Sequence, residues 1–173
     1  IHLLINGDPD KKSVIVKPGH LSLVKHLDRP IEAPPKDSKT SWRRRQLAEY
    51  ITHSDNPLTG RVMVNRIWQH LMGRGIVVTP NNFGFKSAPP THPELLDWLA
   101  FEFVEGGWSI KRIIRMIVLS DTYKQSSRNP DSDTFMKIDP DNHLLWRRNI
   151  RRMDAEVLRD SLLHVSGDLN LKM

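Results

Sequence analysis

The sequence contains no cysteine among its 173 residues. This absence excludes disulfides, zinc–thiolate sites, iron–sulfur clusters, a cysteine nucleophile and CxxCH haem attachment within the chain. It also lacks any apolar run of about 20 residues, the length that a membrane-spanning helix needs. No phosphate-binding loop, dinucleotide fingerprint, HExxH motif or GxSxG motif occurs. The sequence therefore predicts no metal site, no cofactor and no transmembrane segment in this chain.

Acidic residues are fewer than basic ones: 20 Asp and Glu stand against 26 Lys and Arg, for a formal net charge of +6. The sequence pI is about 9.8. A domain pI above about 9 indicates nucleic-acid binding only when the basic residues cluster. The clusters are Arg43–Arg45, then Lys111, Arg112 and Arg115, then Arg147, Arg148, Arg151 and Arg152. We predict that most of these side chains are solvated or paired internally.

Residues 1–40 are predicted to form a β hairpin and an extended strap. Two β-type runs, His2–Ile5 and Ser13–Val16, flank the turn residues Asn6–Asp10. Four prolines and little periodicity follow, which is typical of an extended segment that crosses a surface. These prolines are Pro18, Pro30, Pro34 and Pro35. The chain begins with Ile1 and ends without an obvious terminator, so we interpret it as a fragment of a larger protein.

Residues 41–173 are predicted to form one compact, mainly α unit, an irregular bundle of about five helices. The helices are expected to begin near Arg43, Pro57, Pro93, Ile110 and Asp154. In the second helix Val64, Ile67 and Trp68 belong to an apolar stripe with the spacing i, i+3, i+4 and i+7. We expect Trp68 and Trp98 to lie in the core. The residues that the last helix is expected to bury are Ala155, Leu158, Leu162 and Val165.

Two long strings carry a resemblance to a known family. They are Asn56–His70 and Pro90–Ala100, with shorter matches at Gly107–Ser109, Ser120–Tyr123, Asp139–Asn142 and Arg151–Asp160. In these segments the chain resembles a planctomycete-specific domain of unknown function. That domain occurs near the C-terminal end of large proteins that also carry planctomycete cytochrome c-like domains. The family has no established activity, so the resemblance supplies no catalytic residue.

The resemblance does imply a location and a set of neighbours. It implies export to the periplasm or cell envelope as part of a multidomain protein. The expected partners are the other domains of that parent chain, and protein or carbohydrate ligands are further candidates. Haem is expected only in other domains of the parent, and nucleic acid is not the expected partner.

An enzyme site is an alternative, with His92, Asp97 and Asn65 as the candidate residues of a hydrolase-like centre. His92 lies at a predicted helix start among prolines, with Glu94 and Asp97 nearby. However, His92 and Asp97 are five positions apart, and residues with that spacing do not share a helix face well. The structural alternative is a histidine that hydrogen-bonds a neighbouring loop.

Four charged residues are candidates for binding: Arg66, Arg152, Glu156 and Arg159. Arg66 and Asn65 lie beside the apolar stripe of the second helix, so at least one is expected to be half-buried and to need polar partners. The expected partners are Asp97, Glu156 and Asp160. Spacings of three and four along the last helix predict an ion-pair ladder. We expect these polar residues to join helices rather than to turn over a substrate.

Two further alternatives concern nucleic acids and sugars. The turn Gly106–Trp108 and the basic helix after it resemble a helix-turn-helix that would present Lys111, Arg112 and Arg115. Only Ser109 would offer a base-reading side chain there. Exposed tryptophans would provide a stacking platform, but helical spacing favours a core role. The sequence is best interpreted as a non-catalytic structural or interaction module.

Overall fold

The computed structural model describes residues 2–20, 22 and 24–172, which form a mainly helical protein with a short N-terminal hairpin. The strands are β1 (His2–Leu4) and β2 (Lys12–Ile15). The α-helices in this part of the chain are α1 (Arg43–Ile51), α2 (Pro57–Met72), α3 (Pro93–Glu105), α4 (Ile110–Leu119), α5 (Asp121–Lys124), α6 (Ser132–Ile138) and α7 (Ala155–Ser166). The predicted fold class is confirmed. The five predicted helices are present, and the short helices α5 and α6 are additional.

Helix α2 begins and ends where its capping residues require. The Asn56 side chain accepts the backbone N–H of Leu58 at 3.0 Å, and Pro57 occupies the first turn, where its missing N–H costs nothing. The helix ends at Gly73, whose φ of 92° lies in the left-handed region that glycine adopts without strain. Ser109 caps α4 in the same way by accepting the N–H of Arg112 at 3.3 Å.

The main core lies between α2, α3 and α4, and the loop after α2 closes one side of it. Its buried residues are Val64, Ile67, Trp68, Met72, Ile76, Val77, Leu96, Leu99, Ala100, Phe103, Ile113 and Ile117. Trp68 is 5% exposed, as predicted, but Trp98 is 49% exposed. The prediction that Trp98 is a core residue is therefore wrong, because the buried stripe of α3 runs through Leu96, Leu99 and Phe103 instead.

The strap packs on α1 rather than lying free. Both amide atoms of Gln46 bind the backbone of Glu32: the Glu32 N–H donates to Oε1 at 2.7 Å, and Nε2 donates to the Glu32 carbonyl at 3.1 Å. Val24 and Leu27 of the strap form a small second apolar cluster with Tyr50 of α1. The His20 ring stacks on Tyr50, with centroids 4.7 Å apart.

Helix α7 has the predicted position but not the predicted burial. Leu158, Leu162 and Val165 are all exposed, and Val165 reaches 87%. No residue of α7 is buried. The periodicity identified an apolar face correctly, but that face has no partner among the described residues. Within the same part of the chain, no helix combines the length and apolar character needed to cross a membrane.

Candidate functional site

The three candidate catalytic residues lie in different surroundings. Asn65 is 0% exposed and belongs to the core side of α2. Asp97 is exposed on α3 and accepts a hydrogen bond from Arg61 Nε at 2.7 Å. His92 precedes the first turn of α3, and its Nδ1 lies 3.0 Å from Thr91 Oγ1. His92 and Asp97 line different clefts: His92 contributes to the cleft beside Trp98, and Asp97 to a cleft beside Arg61.

Asn65 holds the loop that follows α2. Its Oδ1 accepts the N–H of Val77 at 2.9 Å, and its Nδ2 donates to the Val77 carbonyl at 3.0 Å. The predicted carboxylate partners do not contact it. The loop turns so tightly at Gly75 that a Cβ at this position would lie 2.5 Å from the Val77 carbonyl oxygen, which is too close for any residue other than glycine. Asn65 therefore has a structural role: its side chain supplies the hydrogen-bond partners for the buried N–H and carbonyl groups of Val77.

The four candidate binding residues do not form the predicted network. Arg66 is exposed and donates to Asn81 Oδ1 at 2.9 Å. Arg152, Glu156 and Arg159 are also exposed. The one ion pair along α7 joins the sequence neighbours Arg159 and Asp160 at 3.1 Å, so among the described residues the ladder is absent. Its absence follows from the open position of α7, because exposed ion pairs gain little over solvation.

Replacing Glu156 by Ala is expected to lower the free energy of unfolding by less than about 1 kcal/mol, since the carboxylate is exposed. Urea denaturation of the chain measures this value. Glu102→Ala is the matched control, because that carboxylate is mostly buried and binds Arg112. A loss of about 3 kcal/mol or more at Glu156 would show that it belongs to a buried ion pair after all.

The helical domain carries an aromatic cleft. It has a volume of about 320 Å³ and lies between α2, α3, α4 and the loop before α7. Its walls include Trp68, His92, Leu95, Trp98, Met116, Leu144 and Leu145, with Ser120 and Thr122 at one end. Trp98 and Leu144, which is 67% exposed, form the open rim. A cleft with this lining suits an apolar group better than a charged substrate.

Several basic residues that suggested nucleic-acid binding have internal partners. Arg112 lies across Gly106 and binds both the carbonyl and the carboxylate of Glu102, which ties α4 to the end of α3. Arg148 donates to the Leu71 carbonyl at 2.7 Å, and its guanidinium lies 4.0 Å from the centre of the Tyr123 ring. Cations at a helix C-terminus are stabilised by the helix dipole. These arginines fasten helices together.

Residues 43–173 match the family described as "Protein of unknown function (DUF1553)". The chain belongs to this family. The match begins at the first residue of α1 and includes the aromatic cleft. No curated protein and no solved structure matches the chain. The DUF1553 assignment confirms an uncharacterised domain and leaves its chemistry open.

The DUF1553 region contains a polar loop that sequence reasoning did not identify. Asp139 is buried and accepts the N–H groups of His143 at 2.9 Å and Leu144 at 2.7 Å. Burial raises the pKa of this carboxyl, but the two N–H donors, together with the nearby His143 and Arg147 side chains, hold the pKa below its ordinary value. Asn142, at φ 55°, donates to the Arg147 carbonyl at 2.8 Å. The signal was the string Asp139–Asn142, whose residue types favour such turns.

The loop organises one wall of the aromatic cleft. Trp146 Nε1 donates to the Asp139 carbonyl at 2.9 Å, and Gln125 Nε2 donates to the Leu145 carbonyl at 2.8 Å. These bonds fix Leu144 and Leu145 against the cleft. The described residues contain no group of three or more His, Cys, Asp or Glu side chains that would hold a metal ion.

Proposed function

We propose that this DUF1553 domain is a non-catalytic interaction module of an exported multidomain protein, and that it packs against other domains of its parent chain. The observation that carries the proposal is the apolar face of α7. Leu158, Leu162 and Val165 fall at i, i+4 and i+7 on one side of the helix and are all exposed. This spacing is the one by which amphipathic helices dock into grooves of partner proteins.

The total surface of the chain supports the same conclusion. A compact monomer of 20.0 kDa exposes about 8,700 Å², whereas this chain exposes 13662 Å². Large obligate interfaces bury about 2,000 to 5,000 Å² counted over both partners, so the excess of about 5,000 Å² on this chain alone is about twice one partner's share of the largest of these. The hairpin contributes, because apolar residues of both strands, among them Val14 and Ile15, are exposed. Isolated two-stranded hairpins are marginal in water, so β1 and β2 also gain from a partner surface.

The resemblance found in the sequence supports a context for the module. We propose that it belongs to planctomycete proteins of the periplasm or cell envelope and lies beside cytochrome c-like domains. Any haem would then belong to those domains, since this chain has no cysteine for covalent attachment. The polar residues at the candidate positions support a structural role. The Asn65 side chain is hydrogen-bonded to the backbone of Val77, and the Asp97 carboxylate is hydrogen-bonded to Arg61.

The experiment compares one substitution in two settings. Leu162→Glu is expected to change the free energy of unfolding of the isolated chain by less than about 0.5 kcal/mol, because the side chain is exposed. In the full-length parent it is expected to cost about 2 kcal/mol or more, because a carboxylate is then placed in a covered apolar interface. Differential scanning calorimetry and urea denaturation measure both values.

The matched control is His164→Glu, which adds the same side chain to the opposite, polar side of α7. It is expected to lower the free energy of unfolding of both proteins by the same small amount, less than about 1 kcal/mol, because an anion in the last turn opposes the helix dipole. An equal, small effect of Leu162→Glu in the chain and in the parent would contradict the proposal, since it would mean that nothing covers α7.

A further inference from the structure

A second cleft, at the C-terminal end of α2, has a different chemical character from the aromatic cleft. It has a volume of about 340 Å³ and is lined by Arg66, Gln69, His70, Gly73, Pro80, Asn81 and Arg151. The lining contains two guanidinium groups, one imidazole and two side-chain amides, and no carboxylate. All of these polar side chains can donate hydrogen bonds. The cleft is therefore rich in hydrogen-bond donors and carries positive charge.

Both arginines are held in place by neutral acceptors. Arg66 Nη2 donates to Asn81 Oδ1 at 2.9 Å, and Arg151 Nη1 donates to the His70 carbonyl at 2.7 Å. Neither guanidinium forms an ion pair within the described residues. Each has further N–H groups beyond the one it uses. Two positive charges thus line one cleft without a counter-ion.

The position of Arg151 depends on Gly73. A Cβ at Gly73 would lie 3.2 Å from Arg151 Cδ, so the absence of a side chain there lets the arginine lie across the helix end. The C-terminus of α2 carries a partial charge of only about −0.5. Arg148 and Arg151 already bind carbonyls of its last turn, and Arg66 adds a third full charge nearby. The local field in the cleft is therefore positive.

We propose that this cleft binds a dianionic phosphate group, either free phosphate or the end group of a small phosphomonoester. Two guanidinium groups match a charge of −2, and their planar donor pairs match the oxygens of a phosphate. Asn81 and Gln69 supply neutral donors or acceptors for the remaining oxygens and any phosphate proton. This site is separate from the apolar surfaces used by the proposed interaction module.

Isothermal titration of the chain with inorganic phosphate and, separately, with glycerol phosphate tests the site at constant ionic strength. Saturable binding of one equivalent is expected. Arg66→Gln and Arg151→Gln are each expected to weaken it by about tenfold or more, since each removes a charged hydrogen-bond donor. Arg44→Gln, an exposed arginine on α1, is the control and should change binding less than about twofold.

The two ligands identify the source of the phosphate group. Equal affinity for inorganic phosphate and glycerol phosphate indicates that the cleft recognises the phosphate group alone. Tighter binding of glycerol phosphate indicates that the glycerol part also contacts the cleft. Because Arg151 also caps α2, circular dichroism of each variant checks the fold, and Arg66→Gln tests the site without altering that cap. The absence of saturable binding, or equal weakening by Arg44→Gln, would overturn the proposal.

Discussion

Replacing Trp68 by Ala is expected to lower the free energy of unfolding by about 3 to 5 kcal/mol, the range for truncating a large buried aromatic side chain. Trp68 lies on the buried face of α2, in contact with the core shared by α2, α3 and α4. Its removal leaves a cavity that the neighbouring helices cannot close without moving. Trp98, 49% exposed, provides the matched control.

Trp98→Ala is expected to cost about 1 to 2 kcal/mol, because only part of the indole is withdrawn from water. Guanidinium denaturation of both variants, followed by far-ultraviolet circular dichroism, gives the comparison. Equal losses for Trp68 and Trp98 would show that the aromatic cleft is closed by Trp98 in solution. A small loss at Trp68 would contradict the position of the core itself.

Replacing Asn65 by Ala is expected to lower the free energy of unfolding by about 2 to 6 kcal/mol. The substitution leaves two buried backbone groups of Val77 without partners, and each such group carries a desolvation cost of about 1 to 3 kcal/mol. Asn65→Asp is expected to be as damaging, because a carboxylate cannot donate to the Val77 carbonyl and brings a charge into the core. Neither variant is expected to act through a lost catalytic function.

Asn81→Ala is the matched control for Asn65. Asn81 is exposed, and its side chain binds only Arg66, so its loss is expected to cost less than about 1 kcal/mol. Chemical denaturation measures each variant, and amide hydrogen exchange at Val77 locates the effect. If Asn65→Ala kept full stability while the N–H of Val77 stayed protected, the bridge between this side chain and the loop would not exist.

The elements that local patterns define could be predicted from the sequence. Helix α2 has both a cap at Asn56 and an apolar stripe through Val64 and Trp68, and all of these features lie within one short segment of the chain. The position of α7 was equally clear, because Asp154 and Gly167 delimit it. Its burial was not predictable, because periodicity shows which face is apolar but not what covers that face.

The partners of individual side chains depend on the path of distant segments, so sequence spacing could not give them. Asn65 was expected to meet a carboxylate, but the loop after α2 turns back at Gly75 and brings Val77 to it. The sequence grouped Arg151 with a basic cluster and with the string that ends at Asp160, whereas the fold places it beside Arg66. Trp98 shows a third case, since it belongs to a correctly predicted helix but lies outside its buried stripe.

Hydrogen exchange of α7, compared between the isolated chain and the full-length parent, tests the interaction module most directly. An amphipathic helix with an exposed apolar face opens readily, so its amides are expected to exchange fast in the isolated chain. In the parent, the amides around Leu158, Leu162 and Val165 are expected to be strongly protected, because the helix is docked. Equally fast exchange of α7 in both proteins would contradict the account.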